Sequence, residues 1–296
     1  MQRKEFGELL TTLRQDLGWT QFELAQFSMV DNAVISQIER GVKKYFDPEL
    51  LFNLANALQL TTLERREFFL AASGLDEKQT VRQLSARTTT DAFEADKMLS
   101  KMIRLMEQVR LPAFLVDVYS DVIAINQALL SFFKIPTALL ESDRSIPGGF
   151  NTMRMLFGRE LIGRTHVAEN WDGYALNSMR AFREISLRYR ATPYFKYLMK
   201  AFRDPNEYPL FDRYWKRVSS VEQDKEANMD YFSYRHVEFG DLKYYSSSTV
   251  TITSFGELFL VQYLPLDDHT SQVFEQLIHN SGKEVIRLAS WPEKAH

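Results

Sequence analysis

The sequence contains no cysteine, which excludes disulfides, thiolate zinc sites and cysteine nucleophiles and leaves only histidine and carboxylate side chains as metal ligands. This absence fits a reducing cytoplasm, where we expect the protein to reside. No apolar run reaches the roughly 18 residues that a membrane-spanning helix needs, and the first residues, MQRKEFGELL, already carry charges. We therefore expect a soluble chain that is not exported and has no membrane span.

Motifs of catalysis and cofactor binding are also missing. Glycine is scarce, at 12 residues, and the sequence holds no GxSxG motif, no phosphate-binding loop and no dinucleotide-binding glycine fingerprint. The histidines are scattered without the paired spacing of a metal site, at His166, His236, His269, His279 and His296. We therefore expect a protein that is not an enzyme and that needs neither a cofactor nor a metal.

What is present favours two domains. The chain has 296 residues, of which 45% are hydrophobic, and this length is closer to two domains than to one. Apolar periodicity fades between Ser73 and Asp96, where threonine, serine and charged residues accumulate. We place an N-terminal domain at residues 1–75, a linker at 76–97, a larger domain at 98–275 and a C-terminal tail at 276–296.

The N-terminal 75 residues carry the pattern of five helices. Leucines at helical spacing form a first helix that Gly18 ends, and Thr20 with Glu23 forms a capping box that begins a second. Asp31 suits the N-cap of a third helix, which Gly41 ends. Two leucine-rich patterns complete an all-α domain. In the third helix, the residues left on the outward side are Asn32, Ala33, Ser36 and Gln37.

The segments WTQFELAQ, VDNAVISQIERG and LFNLANALQL resemble the xenobiotic-response-element family of lambda-repressor-like helix-turn-helix domains, over roughly residues 3–75. The resemblance implies that the third helix is a recognition helix in the major groove of operator DNA. Amide and small apolar side chains there suit adenine edges and thymine methyl groups, while the flanking cations and Gln21 suit phosphates. The residues expected to meet DNA are Gln21, Asn32, Ala33, Ser36, Gln37, Arg40, Lys43 and Lys44.

The charge of this domain predicts a dimer. Residues 1–75 carry eight lysines and arginines against ten aspartates and glutamates, and RGVKK is the only basic cluster. Because affinity for DNA depends largely on neutralised phosphates, one copy should bind weakly. Two copies on a two-fold site would compensate, so we expect a homodimer.

The larger domain is predicted to be α+β. PAFLVDVYSDVIAINQALLSFF indicates a strand over 113–118, a tight turn, a strand over 122–125 and a helix capped by Asn126. Helical patterns follow around 153–157, 171–189, 192–202 and 211–218. Alternation in HVEFGDLKYYSSSTVTITSFGELFLVQYLP predicts three late strands that join the hairpin in one antiparallel sheet.

This domain resembles, over roughly residues 100–270, the ligand-binding domain of the MmyB-like transcription regulators. The resemblance rests on six segments in order: the hairpin segment, NTMRMLF, NWDGYALNSMRAFR, FDRYWKR, HVEFGDLKY and LFLVQYLP. It implies a PAS-like domain that holds a small lipophilic ligand, for which a fatty acid is best suited. The sequence departs from the family pattern at YSDVIAIN, where a tryptophan is more usual, and in the long polar insertion SVEQDKEANMDYF.

A fatty acid needs an apolar wall and one polar end, since each buried CH₂ contributes about 0.8 kcal/mol. Candidate wall residues are Phe114, Ile123, Met153, Phe157, Phe182 and Trp215. Asn151 and Arg154, three positions apart, and Arg180 are candidates for the carboxylate head group. The alternative for each of these side chains, taken singly, is an ordinary core, cap or ion-pair role. The sequence thus predicts a ligand-sensing DNA-binding regulator; the alternative is a constitutive one whose second domain mediates dimerisation or partner binding.

Overall fold

The computed structural model describes residues 3–74, 89–134, 140, 148–159, 167, 171–220 and 231–294. Most of the predicted linker, residues 76–88, lies outside this range, and its last residues belong to a helix that begins at Thr89. Within the described residues, no helix is both long and apolar enough to span a bilayer.

The N-terminal domain consists of five helices, as the sequence predicts: α1 (Arg3–Asp16), α2 (Gln21–Ser28), α3 (Asn32–Glu39), α4 (Pro48–Ala57) and α5 (Thr62–Ser73). The predicted caps are confirmed. The Thr20 hydroxyl accepts a hydrogen bond from the Glu23 amide at 3.2 Å, and the Asp31 carboxylate accepts one from the Ala33 amide at 2.6 Å. These caps fix the starts of α2 and α3, so the turn between the two helices is set locally.

Close packing of α1 against the end of α3 gives a first prediction. A methyl group added at Gly7 would lie 2.5 Å from the carbonyl oxygens of Ile38 and Glu39. Because backbone atoms cannot move aside cheaply, we expect Gly7→Ala to lower the free energy of unfolding by about 1–3 kcal/mol, although alanine is the better helix former. Urea unfolding measures this, with Thr11→Ala one turn away as the control. Equal stability of Gly7→Ala and wild type would contradict the contact.

The C-terminal domain is α+β, as predicted. Its elements are α6 (Thr89–Gln108), β1 (Ala113–Asp117), β2 (Val122–Asn126), α7 (Gln127–Phe133), α8 (Thr152–Phe157), α9 (Trp171–Ser186) with a 3₁₀ turn (Leu187–Tyr189), α10 (Pro193–Phe202), α11 (Phe211–Ser220), β3 (Phe232–His236), β4 (Gly240–Thr253), β5 (Gly256–Pro265), α12 (Asp268–Asn280) and β6 (Val285–Arg287). The sheet is antiparallel with the order β3-β4-β5-β1-β2-β6. The predicted hairpin and the three late strands therefore share one sheet.

The two faces of this sheet are covered differently. On one face, Ala113, Leu115 and Ile123 pack against α6. On the other, Val116 and Ile125 pack with aromatic residues of α7, β4, β5 and α12. A third cluster joins α8, α9, α10 and α11 and contacts the second face through Phe259. The helical cluster and the sheet thus meet along a boundary rich in aromatic side chains.

The prediction of a C-terminal tail at 276–296 is wrong for the residues that the structure describes there. Strand β6 pairs with β2, opposite Ile125, and so adds an edge strand to the sheet. Trp291 is buried in the cluster under α6, and the Lys294 ammonium lies 2.5 Å from Asp117 and 2.8 Å from Asp121. The segment is therefore part of the folded domain: Trp291 packs against residues of α6, and Lys294 pairs with two buried aspartates at the β1–β2 turn. The other predicted boundaries stay predictions.

Candidate functional site

Helix α3 presents a polar surface opposite its buried side. Ile35 and Ile38 are fully buried, whereas Asn32, Ala33 and Gln37 are exposed. Ser36 is half-buried, and its carbonyl accepts a hydrogen bond from the exposed Arg40 side chain at 3.2 Å. Lys44 is exposed and Lys43 half-exposed, immediately after the helix. Apart from Gln21, which begins α2, the predicted base-reading and phosphate-binding side chains therefore lie on α3 and in the residues that follow it.

An ion pair fixes the orientation of α3 on the domain. Arg14 of α1 binds the Glu39 carboxylate through two nitrogens, at 2.6 and 3.0 Å. The Gln21 side chain donates to the same carboxylate at 2.7 Å. Bidentate geometry of this kind sets angle as well as distance. Gln21 thus helps to hold the end of α3, and its predicted phosphate contact remains a prediction.

In the C-terminal domain, four of the predicted wall residues lie together. Met153, Phe157, Phe182 and Trp215 are buried in the cluster of α8–α11, and the rings of Phe182 and Trp215 are 6.2 Å apart. Phe114 is half-buried against the sheet. Ile123, in contrast, faces α6 on the opposite side of the sheet. The sheet therefore separates Ile123 from the other five, and we withdraw it as a wall residue of a shared site.

The predicted head-group residues have protein partners already. The fully buried Asn151 side chain donates to the Tyr119 carbonyl at 2.7 Å and the Asp121 carboxylate at 2.8 Å, and it caps α8 through the Met153 amide. Because both ends of this amide are engaged, Asn151 organises the β1–β2 turn rather than offering a ligand contact. Arg154 donates to the Gly149 carbonyl at 2.9 Å, and Arg180 to Asn177 at 3.2 Å. These two contacts are local, and both arginines are half-buried.

A continuous run of rings connects the predicted wall residues Phe157 and Phe114. We call it the aromatic seam and define it as Trp171, Tyr174, Phe232, Tyr244 and Tyr263. Successive ring centroids within the seam are 6.2, 4.8, 5.8 and 4.3 Å apart. Phe157 contacts one end at 6.4 Å and Phe114 the other at 5.9 Å. The seam thus runs from α9 across β3, β4 and β5.

The three tyrosines of the seam place hydroxyl groups, which can donate hydrogen bonds, in an otherwise apolar environment. Burial, together with the nearby Tyr234, raises the pKa of Tyr174 to about 12. Burial likewise raises the pKa of Tyr244 and Tyr263, whose hydroxyls hydrogen-bond to each other. Tyr174 and Phe232 are half-buried although they lie among other rings. Phenols that stay protonated can donate hydrogen bonds to an anionic or polar head group.

A buried ion pair joins the two domains. Glu64 of α5 is fully buried, and its carboxylate accepts hydrogen bonds from Arg183 Nε at 2.9 Å and Nη2 at 2.8 Å. Arg190 donates to the same carboxylate and to the Arg183 carbonyl. Both guanidinium groups also lie over the Trp215 ring, at 5.1 and 4.9 Å from its centroid. One carboxylate of the N-terminal domain is therefore enclosed by cations of the C-terminal domain.

The charge of Glu64 is well stabilised. Burial alone would raise the pKa of Glu64, but the charges of Arg190 and Arg183 and hydrogen bonds from Arg183 and Thr61 lower it to about 2. Around this centre, Arg188 pairs with Glu67 at 2.6 Å and Arg203 with Asp16 at 3.4 Å. Leu187 is buried in the core of the N-terminal domain. The contact is thus both ionic and apolar, and it stays charged throughout the physiological pH range.

Comparison with protein families assigns the C-terminal domain. The family model described as MmyB-like transcription regulator ligand binding domain matches residues 99–277, which is more than half of the chain. The chain belongs to this family. A second family model, described as Helix-turn-helix, matches residues 10–65. No curated protein matches the chain.

Family membership confirms the predicted organisation: a helix-turn-helix regulator with an MmyB-like ligand-binding domain. The aromatic seam, Arg183 and Arg190 fall within the matched ligand-binding domain, and Glu64 falls within the matched helix-turn-helix region. The domain contact therefore joins the two matched regions. Sequence reasoning missed it: the spacing of Thr61 and Glu64 signals a capping box, which is present, but gives no sign of a second partner.

Proposed function

We propose that the chain is a DNA-binding transcription regulator whose ligand-binding domain takes a fatty acid and passes its ligand state to the helix-turn-helix domain through Glu64. Three observations support this: the exposed polar side of α3, the aromatic seam and the buried domain contact. A homodimer would place two α3 helices in successive major grooves, about 34 Å apart. The proposal assigns no catalytic chemistry and no cofactor.

In the proposed complex, Asn32 and Gln37 read base edges, and Ala33 and Ser36 contact neighbouring groups in the groove. Arg40, Lys43, Lys44 and the N-terminus of α2 at Gln21 bind phosphates, which set the position of the domain without reading sequence. The Arg14–Glu39 pair keeps α3 at a fixed angle while it binds. Recognition of the base sequence therefore depends on the amide side chains, whereas the overall affinity for DNA depends on the cations.

This division of roles predicts different behaviour for two variants. We expect Gln37→Ala to lose about 1–3 kcal/mol on the preferred duplex and to relax preference at one base position. We expect Lys44→Ala to weaken binding to all duplexes. The slope of log affinity against log salt concentration should also fall by about one, because one phosphate contact is lost. Fluorescence anisotropy on a duplex selected from a random library, at several salt concentrations, separates the two. The same base preference in Gln37→Ala and wild type would contradict the assignment.

The aromatic seam is the observation that carries the ligand proposal. An acyl chain lying along the seam would contact rings from α9 and three strands. The phenol hydroxyls of Tyr174, Tyr244 and Tyr263 belong to the same run of rings, so the chain would lie beside polar groups as well as apolar ones. Arg154 and Arg180 are the proposed cations for the carboxylate, because they lie on α8 and α9, the helices that also carry Phe157 and the seam residues Trp171 and Tyr174. An arginine can bind a carboxylate through two parallel hydrogen bonds.

Native mass spectrometry of the purified full-length chain tests the ligand, followed by denaturing extraction to identify what is released. We expect a stoichiometric fatty acid, reduced in Arg154→Ala or Arg180→Ala and retained in Arg213→Ala, which removes an exposed arginine of α11. An empty protein that also shows no thermal shift with palmitate would contradict the proposal. That result would favour the alternative, a constitutive regulator whose second domain serves dimerisation or partner binding.

A further inference from the structure

The outer half of strand β4 is unusually exposed. Strand β3 pairs only with residues 240–244 of β4, whereas β5 pairs with β4 from Tyr244 to Thr253. Among the described residues, no strand pairs with the outer edge of residues 245–253. Side chains from Tyr245 to Val250 are all exposed, on both faces of the strand, and Ile252 is 73% exposed. A strand that packs on a core would instead alternate between buried and exposed positions.

The sequence of this edge has none of the features that keep strands apart. Residues 245–253 read YSSSTVTIT and contain no lysine, no acidic residue, no proline and no glycine. Natural proteins often protect an open edge with charged residues or proline, because its free N–H and C=O groups can pair with another strand. Threonine, valine, isoleucine and tyrosine are instead favourable strand formers.

We propose that this edge is the dimer interface of the protein, formed by antiparallel pairing of β4 with β4 of a second copy. An antiparallel pair of one segment with itself has two-fold symmetry, as an isologous dimer requires. Centred at Thr249, the pair places Tyr245 opposite Thr253, and since the segment carries no charge the copies meet without repulsion. The inference deepens the proposed function, on which it rests, because a helix-turn-helix domain with few cations needs a second copy on its site.

Sedimentation velocity of the full-length chain tests the interface. We expect a dimer of twice the 34.6 kDa chain mass. Ser247→Lys/Thr249→Lys and Ser247→Glu/Thr249→Glu should each raise the dimer dissociation constant about fivefold or more, because like charges then face each other across the pair. An equimolar mixture of the two double variants should dimerise again, which shows that both are folded. Val237→Lys, at an exposed position in the β3–β4 turn, is the control.

A monomeric wild type would overturn the inference, and so would a dimer whose dissociation constant neither double variant changes. Hydrogen exchange adds a further test on the alternate amides of residues 245–253 that do not bond to β5. If these outward-pointing amides are protected equally in dilute and concentrated protein, the chain's own residues cover the edge and the inference is overturned. Native mass spectrometry on the same samples keeps this inference apart from the proposed function. A dimer through β4 that holds no fatty acid and shows no thermal shift with palmitate refutes the ligand proposal alone, and a monomer that holds a fatty acid refutes the interface alone.

Discussion

Replacing Glu64 with glutamine is expected to lower the free energy of unfolding by about 3–5 kcal/mol, because two buried guanidinium groups then lose their anion. Arg183 and Arg190 are almost fully buried beside Trp215, so water cannot replace the lost charge. Urea unfolding of the full chain measures the effect. Glu67→Gln is the matched control: its partner Arg188 is nearer the surface, so that change should cost only about 0–1 kcal/mol.

The Glu64 pair also predicts a pH dependence. The pKa of Glu64 is about 2 in the folded chain, below its usual value of 4.5, so its ionised form stabilises the folded state. This contribution is complete above about pH 4.5 and is lost as the pH falls towards 2. We expect the stability difference between wild type and Glu64→Gln to be constant from pH 8 to about pH 5 and to shrink below that range. A difference that grows on acidification would contradict the assignment.

The second large effect is expected at the C-terminal end. Lys294→Met should destabilise the chain by about 3–5 kcal/mol, because Asp117 and Asp121 then remain as two buried carboxylates without a cation. Lys283→Met, which removes an exposed lysine of the same segment, should stay within about 0.5 kcal/mol of wild type. Thermal and urea unfolding compare the two. Equal stabilities for both variants would show that the segment is not held by Lys294.

The sign of the pH effect at Lys294 is opposite to that at Glu64. Burial raises the pKa of Asp117, the charge of Lys294 opposes this and the charge of Asp121 adds to it, which together give about 6. A raised pKa means that ionisation of Asp117 costs stability, so this contribution is present at low pH and lost as the pH rises through 6. Without Lys294 the cost is greater. We therefore expect Lys294→Met to lose more free energy of unfolding, relative to wild type, at pH 8 than at pH 5.

Features that are local in sequence were predictable. Thr20 with Glu23, Asp31 and Asn126 each cap a helix within three residues, and the structure contains all three caps. Alternation over ten residues or more predicted β4 and β5. These signals succeed because capping and strand patterning depend on neighbours along the chain.

The contacts that join distant parts of the chain were not predictable. Glu64 meets Arg183 across 119 positions, and Lys294 meets Asp121 across 173. Strand β6 has three residues, too few for alternation to be visible. Asn151 looked like a ligand residue because its amide and the nearby Arg154 share one turn, but its partners on the β1–β2 turn engage it fully. Which distant residues form an ion pair or a strand pair depends on tertiary packing, and a single sequence does not show how its segments pack.

The central claim is that the ligand state of the MmyB-like domain reaches α3 through Glu64. The most direct test is the affinity of the full chain for a duplex selected from a random library, measured by anisotropy after removal of lipid and after addition of palmitate. We expect a change of about fivefold or more in the wild type, typical of coupled sites, and none in Glu64→Gln. A wild-type affinity that palmitate leaves unchanged, or an equal change in both proteins, would contradict the account.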